Sequence, residues 1–141
     1  MSAEQAYWLF KSEPGAWSWD QMVACGREGT GWTGVRNHLA KKQMQAMKLG
    51  DFGFFYHSNV GKAVVGIVEV IKTFHPDPTD ESGKFGMVDL RAVEPLPRPV
   101  TLDEIKADPR FAEMALVKNT RLSVQPVSAE HWRAICALGG L

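Results

Sequence analysis

The sequence is poor in the features by which many functions are recognised. It has two cysteines, Cys25 and Cys136, far apart and without metal-ligand spacing. They read as two buried thiols of a reducing compartment rather than as a disulfide framework. The histidines, His38, His57, His75 and His131, form no H-x-H or H-E-x-x-H pattern, so no metal is expected. No apolar run approaches the roughly 18 residues needed to cross a bilayer, and the N-terminus lacks a basic region followed by an apolar stretch. A cytoplasmic protein without a membrane partner is expected, or a nuclear one in a eukaryotic host.

Charge of either sign is also lacking in excess. Sixteen basic and sixteen acidic residues cancel. A protein that holds nucleic acid mainly by its phosphates needs a positive excess or stripe. A local basic rim is compatible with this balance, but a base would have to supply much of the recognition. There is no P-loop, no G-x-G-x-x-G and no G-x-S-x-G elbow. No catalytic residue and no cofactor are expected.

What is present describes one compact unit over residues 1–141, a length typical of a domain. Hydrophobic residues make up 45%, enough for a real core. Tyr7–Phe10 reads as a buried strand running into the turn Lys11-Ser12-Glu13-Pro14-Gly15. Ser18 and Gln21 form a capping box for a short helix that Gly26 stops. Asn37 is placed to cap a helix over His38–Lys48. Asp51–Ser58 and Lys62–Lys72 read as a hairpin around Asn59-Val60-Gly61. The prolines of His75–Asp80 predict irregular structure, and Gly86–Val93 a further strand. Helices are predicted from Thr101 and Asp108, a strand at Arg121–Val127, and a final helix after Ser128 that turns Trp132, Ile135 and Cys136 inward. Hairpin strands with inserted helices predict an α+β fold, a small, mostly antiparallel β-barrel with short helices inserted between strands.

Candidate binding residues lie where polar side chains end apolar strands. Five tryptophans are many for this length: Trp8, Trp17, Trp19, Trp32 and Trp132. Trp8 and Trp132 suit a core. Trp32 sits among Gly29, Gly31 and Gly34, where a ring has no periodic reason to point inward, and it suits a wall for a planar ligand. Arg36 offers a planar fork, and Asn37 both donors and acceptors, although capping alone would also explain Asn37. Tyr56, His57 and Ser58 end one strand with hydrogen-bonding groups. Ser123 and Gln125 follow Arg121 in an alternating strand, and Lys11 and Ser12 follow the first one.

Taken in order, Tyr7-Trp8-Leu9-Phe10-Lys11-Ser12-Glu13-Pro14, Trp32-Thr33-Gly34-Val35-Arg36-Asn37, Phe55-Tyr56-His57-Ser58, Pro76-Asp77-Pro78-Thr79 and Arg121-Leu122-Ser123-Val124-Gln125-Pro126-Val127 resemble the successive blocks of EVE domain proteins. The resemblance implies a PUA-like fold related to the YTH readers of methylated adenine. It implies a pocket for a modified base, with modified cytosine in DNA ahead of RNA ligands, and no chemistry on that base. Ser12, Trp32, Asn37, Tyr56, His57, Ser58, Ser123 and Gln125 are the expected base-pocket residues, and Lys11, Arg36 and Arg121 the expected phosphate contacts. A monomer is expected, with any downstream action left to a separate effector protein. A sensor of a free nucleoside or other metabolite, and an enzyme acting on an RNA base, are the alternatives.

Overall fold

A computed structural model describes residues 6–141. Its centre is a six-stranded sheet made of β1 (Tyr7–Ser12), β2 (Thr30–Gly31), β3 (Phe52–His57), β4 (Ala63–Pro76), β5 (Gly86–Thr101) and β6 (Val124–Val127). The order across the sheet is β2-β5-β4-β3-β1-β6. Every neighbouring pair is antiparallel except β1 and β3, which run parallel with Leu9 opposite Phe54. That exception follows from the chain path. Between β1 and β3 lie α1 (Trp19–Ala24) and α2 (His38–Ala46), a crossover long enough to bring the chain back in the same direction. The ladder stays open, with β2 and β6 at its edges.

Both faces of the sheet are covered, so its central strands read as continuous apolar runs rather than alternating ones. Trp8, Phe10 and Phe55 pack on one face with Trp19, Trp32, Met44 and Val124. Leu9, Phe54 and Tyr56 pack on the other with Phe111, Leu116, Trp132 and Ile135. There Trp132 stacks on Phe54 at 4.0 Å and on Tyr7 at 4.5 Å between ring centroids. The second face is closed by α3 (Leu102–Ala107), α4 (Ala115–Lys118) and α5 (Ala129–Leu138). The predicted caps are in place: Ser18 and Thr101 form capping boxes, while Asn37 and Ser128 accept from Ala40 and His131.

Several boundaries differ from expectation. His75 and Pro76 belong to β4, opposite Met87 and Gly86, because a proline at the very end of a strand removes no ladder bond that the interior needs. The next strand continues to Thr101 through Pro95, Pro97 and Pro99. The register runs Val64↔Val100 and then Gly66↔Pro95, so Pro97 and Pro99 fall in a bulge where no partner asks for an N–H. The last strand begins only at Val124, since Asn119–Leu122 form a turn closed by Leu122 N–H donating to Asn119. The short helix α4 had no signal of its own.

Three polar anchors hold the segments that leave the sheet. Asp51, buried, accepts from the Trp8 indole N–H and the Lys48 amide, both at 3.0 Å. His57 Nε2 accepts the Trp19 amide at 3.1 Å and so pins the start of α1. Since an amide can only donate, the imidazole is neutral with its proton on Nδ1. Burial lowers the His57 pKa, which the nearby Asp20 carboxylate partly opposes. Asp77 is 3% exposed and serves four donors: Gly34 N–H at 2.8 Å, Arg36 at 3.1 Å, and the Thr79 amide and hydroxyl at 2.7 and 2.6 Å. Burial alone would raise its pKa, but these donors outweigh it and bring it down to about 2.

These two shifts predict two acid windows. The unfolded chain takes up a proton on His57 below its ordinary value of 6.5 before the native state does, so stability falls as the pH drops below about 6.5. Asp77 contributes above its ordinary 3.8, and that contribution is lost as the pH falls through about 2. Denaturant titrations across pH should show both declines. In Asp77→Ala the lower decline should be absent, and stability at neutral pH should fall by on the order of 2 kcal/mol, because Gly34 and Arg36 lose their acceptor.

Candidate functional site

Beside the Asp77 anchor lies a cavity of about 480 Å³, within the usual range for small-ligand sites. It opens at the end of β1, where Lys11, Ser12 and Glu13 leave the sheet. Ala16 and Trp17 form one wall, Thr30 to Arg36 the opposite one, and Ser123 closes the edge beside β6. The glycines explain the second wall. Gly29 has φ +63° and passes so close to β5 that a Cβ would lie 2.0 Å from the Leu90 carbonyl oxygen. Gly34 has φ +85°, the left-handed region, which turns its N–H toward Asp77. The carboxylate thus shapes the wall from behind.

The sequence places Trp32 on a loop with no periodic demand to be inward, yet the ring is only 8% exposed. It packs edge-on against Phe10 and Phe55, at 5.5 and 5.7 Å between centroids, while still lining the cavity. Its amide donates to the Val88 carbonyl at 2.8 Å, which ties the loop to β5. Trp32 is therefore both core and wall. Opposite it, Trp17 is half-buried and its indole N–H points to the Met22 sulfur at 3.5 Å.

The polar groups are specifically disposed. The Ser12 hydroxyl lies 2.5 Å from the Trp17 carbonyl oxygen, and since a carbonyl only accepts, Ser12 donates. What remains of Ser12 Oγ is an acceptor. The Ser123 hydroxyl makes no hydrogen bond within the described residues. Lys11 Nζ donates to the Thr120 carbonyl at 2.8 Å, and burial lowers its pKa. Arg36 holds Asp77 and Thr79 at the mouth.

Of the residues singled out in the sequence, Lys11, Ser12, Trp32, Arg36 and Ser123 line this cavity. The other six do not. Asn37 is exposed and caps α2, with Ala40 N–H at 2.9 Å from its Oδ1. Tyr56 lies in the opposite core, where burial and Asp103 push its pKa up to about 12. His57 is engaged with α1, and Ser58 supports Ser12 through a backbone bond, its N–H 2.9 Å from the Ser12 carbonyl oxygen. Gln125 is fully buried and donates to the Leu122 and Asn119 carbonyls, which holds the turn before Ser123. Arg121 is exposed on that turn. Trp17, Glu13, Thr30 and Thr33 also line the cavity, although none of them is among the expected pocket residues. A tryptophan just after a Pro-Gly turn was the only available signal for Trp17.

Among the described residues no cluster of His, Cys, Asp or Glu could hold a metal ion. The Cys136 thiol is pushed up to about 11 by burial and by Glu94, so it stays protonated. Among the described residues no helix is long and apolar enough to cross a membrane.

Known structures share this fold. A crystal structure of an Agrobacterium tumefaciens protein is 54% identical, covers 96% of this chain and 94% of that one, and superposes with a TM-score of 0.95. Human thymocyte nuclear protein 1, solved in complex with DNA containing 5-methylcytosine, is 30% identical over 97% of this chain and 99% of that one, with a TM-score of 0.90. The YTH domain of Zygosaccharomyces rouxii MRB1, in complex with N6-methyladenosine RNA, shares the fold alone, at 17% identity over 99% of this chain and 87% of that one, with a TM-score of 0.60. These likenesses establish the PUA-like fold. The EVE domain family model matches residues 6–138, nearly the whole described chain. The chain belongs to the EVE domain family.

Proposed function

We propose that this chain is a non-enzymatic reader that takes one modified base of a nucleic acid, foremost a modified cytosine in DNA, into the cavity between Trp17 and Trp32. The cavity itself carries the proposal: two indoles and a small set of polar groups converge on one space beside a basic mouth. The human relative bound to 5-methylcytosine DNA supports a DNA ligand. Bringing a base out of its stack costs a few kcal/mol, and stacking against an aromatic offsets about 1–3 kcal/mol of it.

Ser12 gives the site a chemical preference. Its Oγ can only accept, so it suits an exocyclic amine, such as that on C4 of cytosine, and disfavours the C4 carbonyl of thymine. Ser123 is open to either role. Lys11 and Arg36 are positioned for flanking phosphates, and Arg121 for one farther out. Catalysis on the base is disfavoured by the same geometry. The Ser12 hydroxyl faces a carbonyl rather than a base, and no histidine lines the cavity.

Titration against matched oligonucleotides tests this directly. Binding to 5-methylcytosine should exceed binding to cytosine and to thymine by about tenfold or more, or about 1.4 kcal/mol. Equal and strongly salt-dependent binding to all three would sink the proposal and leave phosphate contact alone. Trp17→Ala should weaken binding by about 1–3 kcal/mol with the fold intact. Ser12→Ala should chiefly narrow the preference for 5-methylcytosine over thymine. Trp32→Ala is unsuitable for such a test, because removing a core ring costs about 3–5 kcal/mol of stability.

A further inference from the structure

Although the net charge is zero, the carboxylates are unevenly placed. None stands between Glu28 and Asp51, a segment that carries Arg36, Lys41, Lys42 and Lys48. None stands between Glu113 and Glu130 either, where Lys118 and Arg121 lie. The cavity draws its glycine wall from the first stretch and Ser123 from the second. The two are neighbours in space, because α2 packs on β6.

Elsewhere cations are commonly neutralised, as in Arg91–Glu69, Arg98–Glu104, Arg110–Asp108 and Lys118–Glu113. On α2 the pattern stops. Among the described residues, neither Lys41 nor Lys42 forms an ion pair. Lys41 Nζ donates instead to the Lys84 carbonyl oxygen and sits 5.8 Å from the centre of the Phe85 ring. The Arg36 guanidinium lies 5.9 Å from the same ring, and the His38 ring 5.0 Å. Phe85 thus gathers Lys41, which has no ion pair among the described residues, and Arg36, which pairs with Asp77, beside the cavity mouth. Glu13 lines the cavity and is exposed, but two other nearby carboxylates are committed. Asp77 is buried under its four donors, and Asp80 is occupied by Ser82 and the Phe85 amide. Glu81 remains exposed in the adjoining turn.

We infer that the surface running from Arg36 to Lys41 and Lys42 on the first turns of α2 is a track for the sugar-phosphate backbone that flanks the bound base. The ligand is then a nucleic-acid strand, with the base in the cavity and its neighbours along α2. This rests on the base-binding role proposed for the cavity and adds what distinguishes a strand from a free nucleoside. Backbone phosphates displace counterions when lysines meet them, so each such contact steepens the salt dependence of binding by about 0.7–0.9.

The test compares two probes on the full chain: free 5-methyl-2′-deoxycytidine, and a short DNA oligonucleotide carrying one 5-methylcytosine. In the Lys41→Gln/Lys42→Gln variant, affinity for the oligonucleotide at low salt should fall about tenfold, and its salt slope should flatten by about one to two. Affinity for the nucleoside should stay unchanged. Lys42→Gln alone, at an exposed position, should give about half the change in slope and guards against a folding defect at Lys41. An unaltered oligonucleotide slope, a parallel loss of nucleoside binding, or absence of oligonucleotide binding by the native chain would each overturn the track. Failure of the cavity proposal looks different: modified and unmodified oligonucleotides would bind alike, with the α2 variants still flattening the slope.

Discussion

The sheet has no solvent face at its centre, and most of the molecule's organisation follows from that. β1, β3 and β4 are covered on both sides, by indole and phenyl rings from two separate cores. A polar side chain in the middle of these strands would be buried without partners, at a cost of 1–3 kcal/mol or more. An accessible polar pocket is therefore confined to places where the strands stop. The cavity lies at one such place, where β1 ends at Ser12 and the chain turns through Glu13 and Pro14.

Placing a cavity at a strand end makes its walls dependent on loops, and loops need fixing. Here the fixing groups are polar and largely hidden behind the walls they support. Asp77 lies behind the glycine wall, His57 behind the helix that follows Trp17, and Gln125 behind the turn that precedes Ser123. Trp32 joins the two systems, since one ring is shared between the hydrophobic core and the cavity surface. Such sharing gives a rigid wall, because the ring cannot swing without disturbing Phe10 and Phe55.

Much of the fold was legible in the residues. The capping boxes at Ser18 and Thr101, the cap at Asn37 and the Asn59–Gly61 hairpin depend on local chemistry, and each forms as that chemistry requires. The prolines of β5 misled, because a bulge that excuses Pro97 and Pro99 from the ladder is set by the partner strand and not by their own neighbours. At the cavity, some polar strand ends contribute lining residues and others do not, because alternation alone could not tell which core each side chain would meet. Tyr56 and Gln125 show this well: both are polar, both follow apolar strands, and both turn to the face opposite the cavity or beneath a turn. Trp17 escaped notice because its role comes from the turn that carries it across to Trp32.

The position of β6 has a consequence for how the protein is made. β1, the first of the six strands, is flanked by β3 on one side and by β6 on the other, and β6 is the last of the six to leave the ribosome. Until it arrives, Trp8 and Phe10 border an open sheet edge, and Ser123 is missing from the cavity. The long sequence separation between β1 and β6 also makes this contact one of the slower to form. Chains cut short before Val124 would thus present an unpaired aromatic strand, a form prone to aggregation and to capture by chaperones. Completion of the sheet and completion of the cavity become one event, so a nascent chain gains the Ser123 edge of the cavity only when it is also safe from self-association.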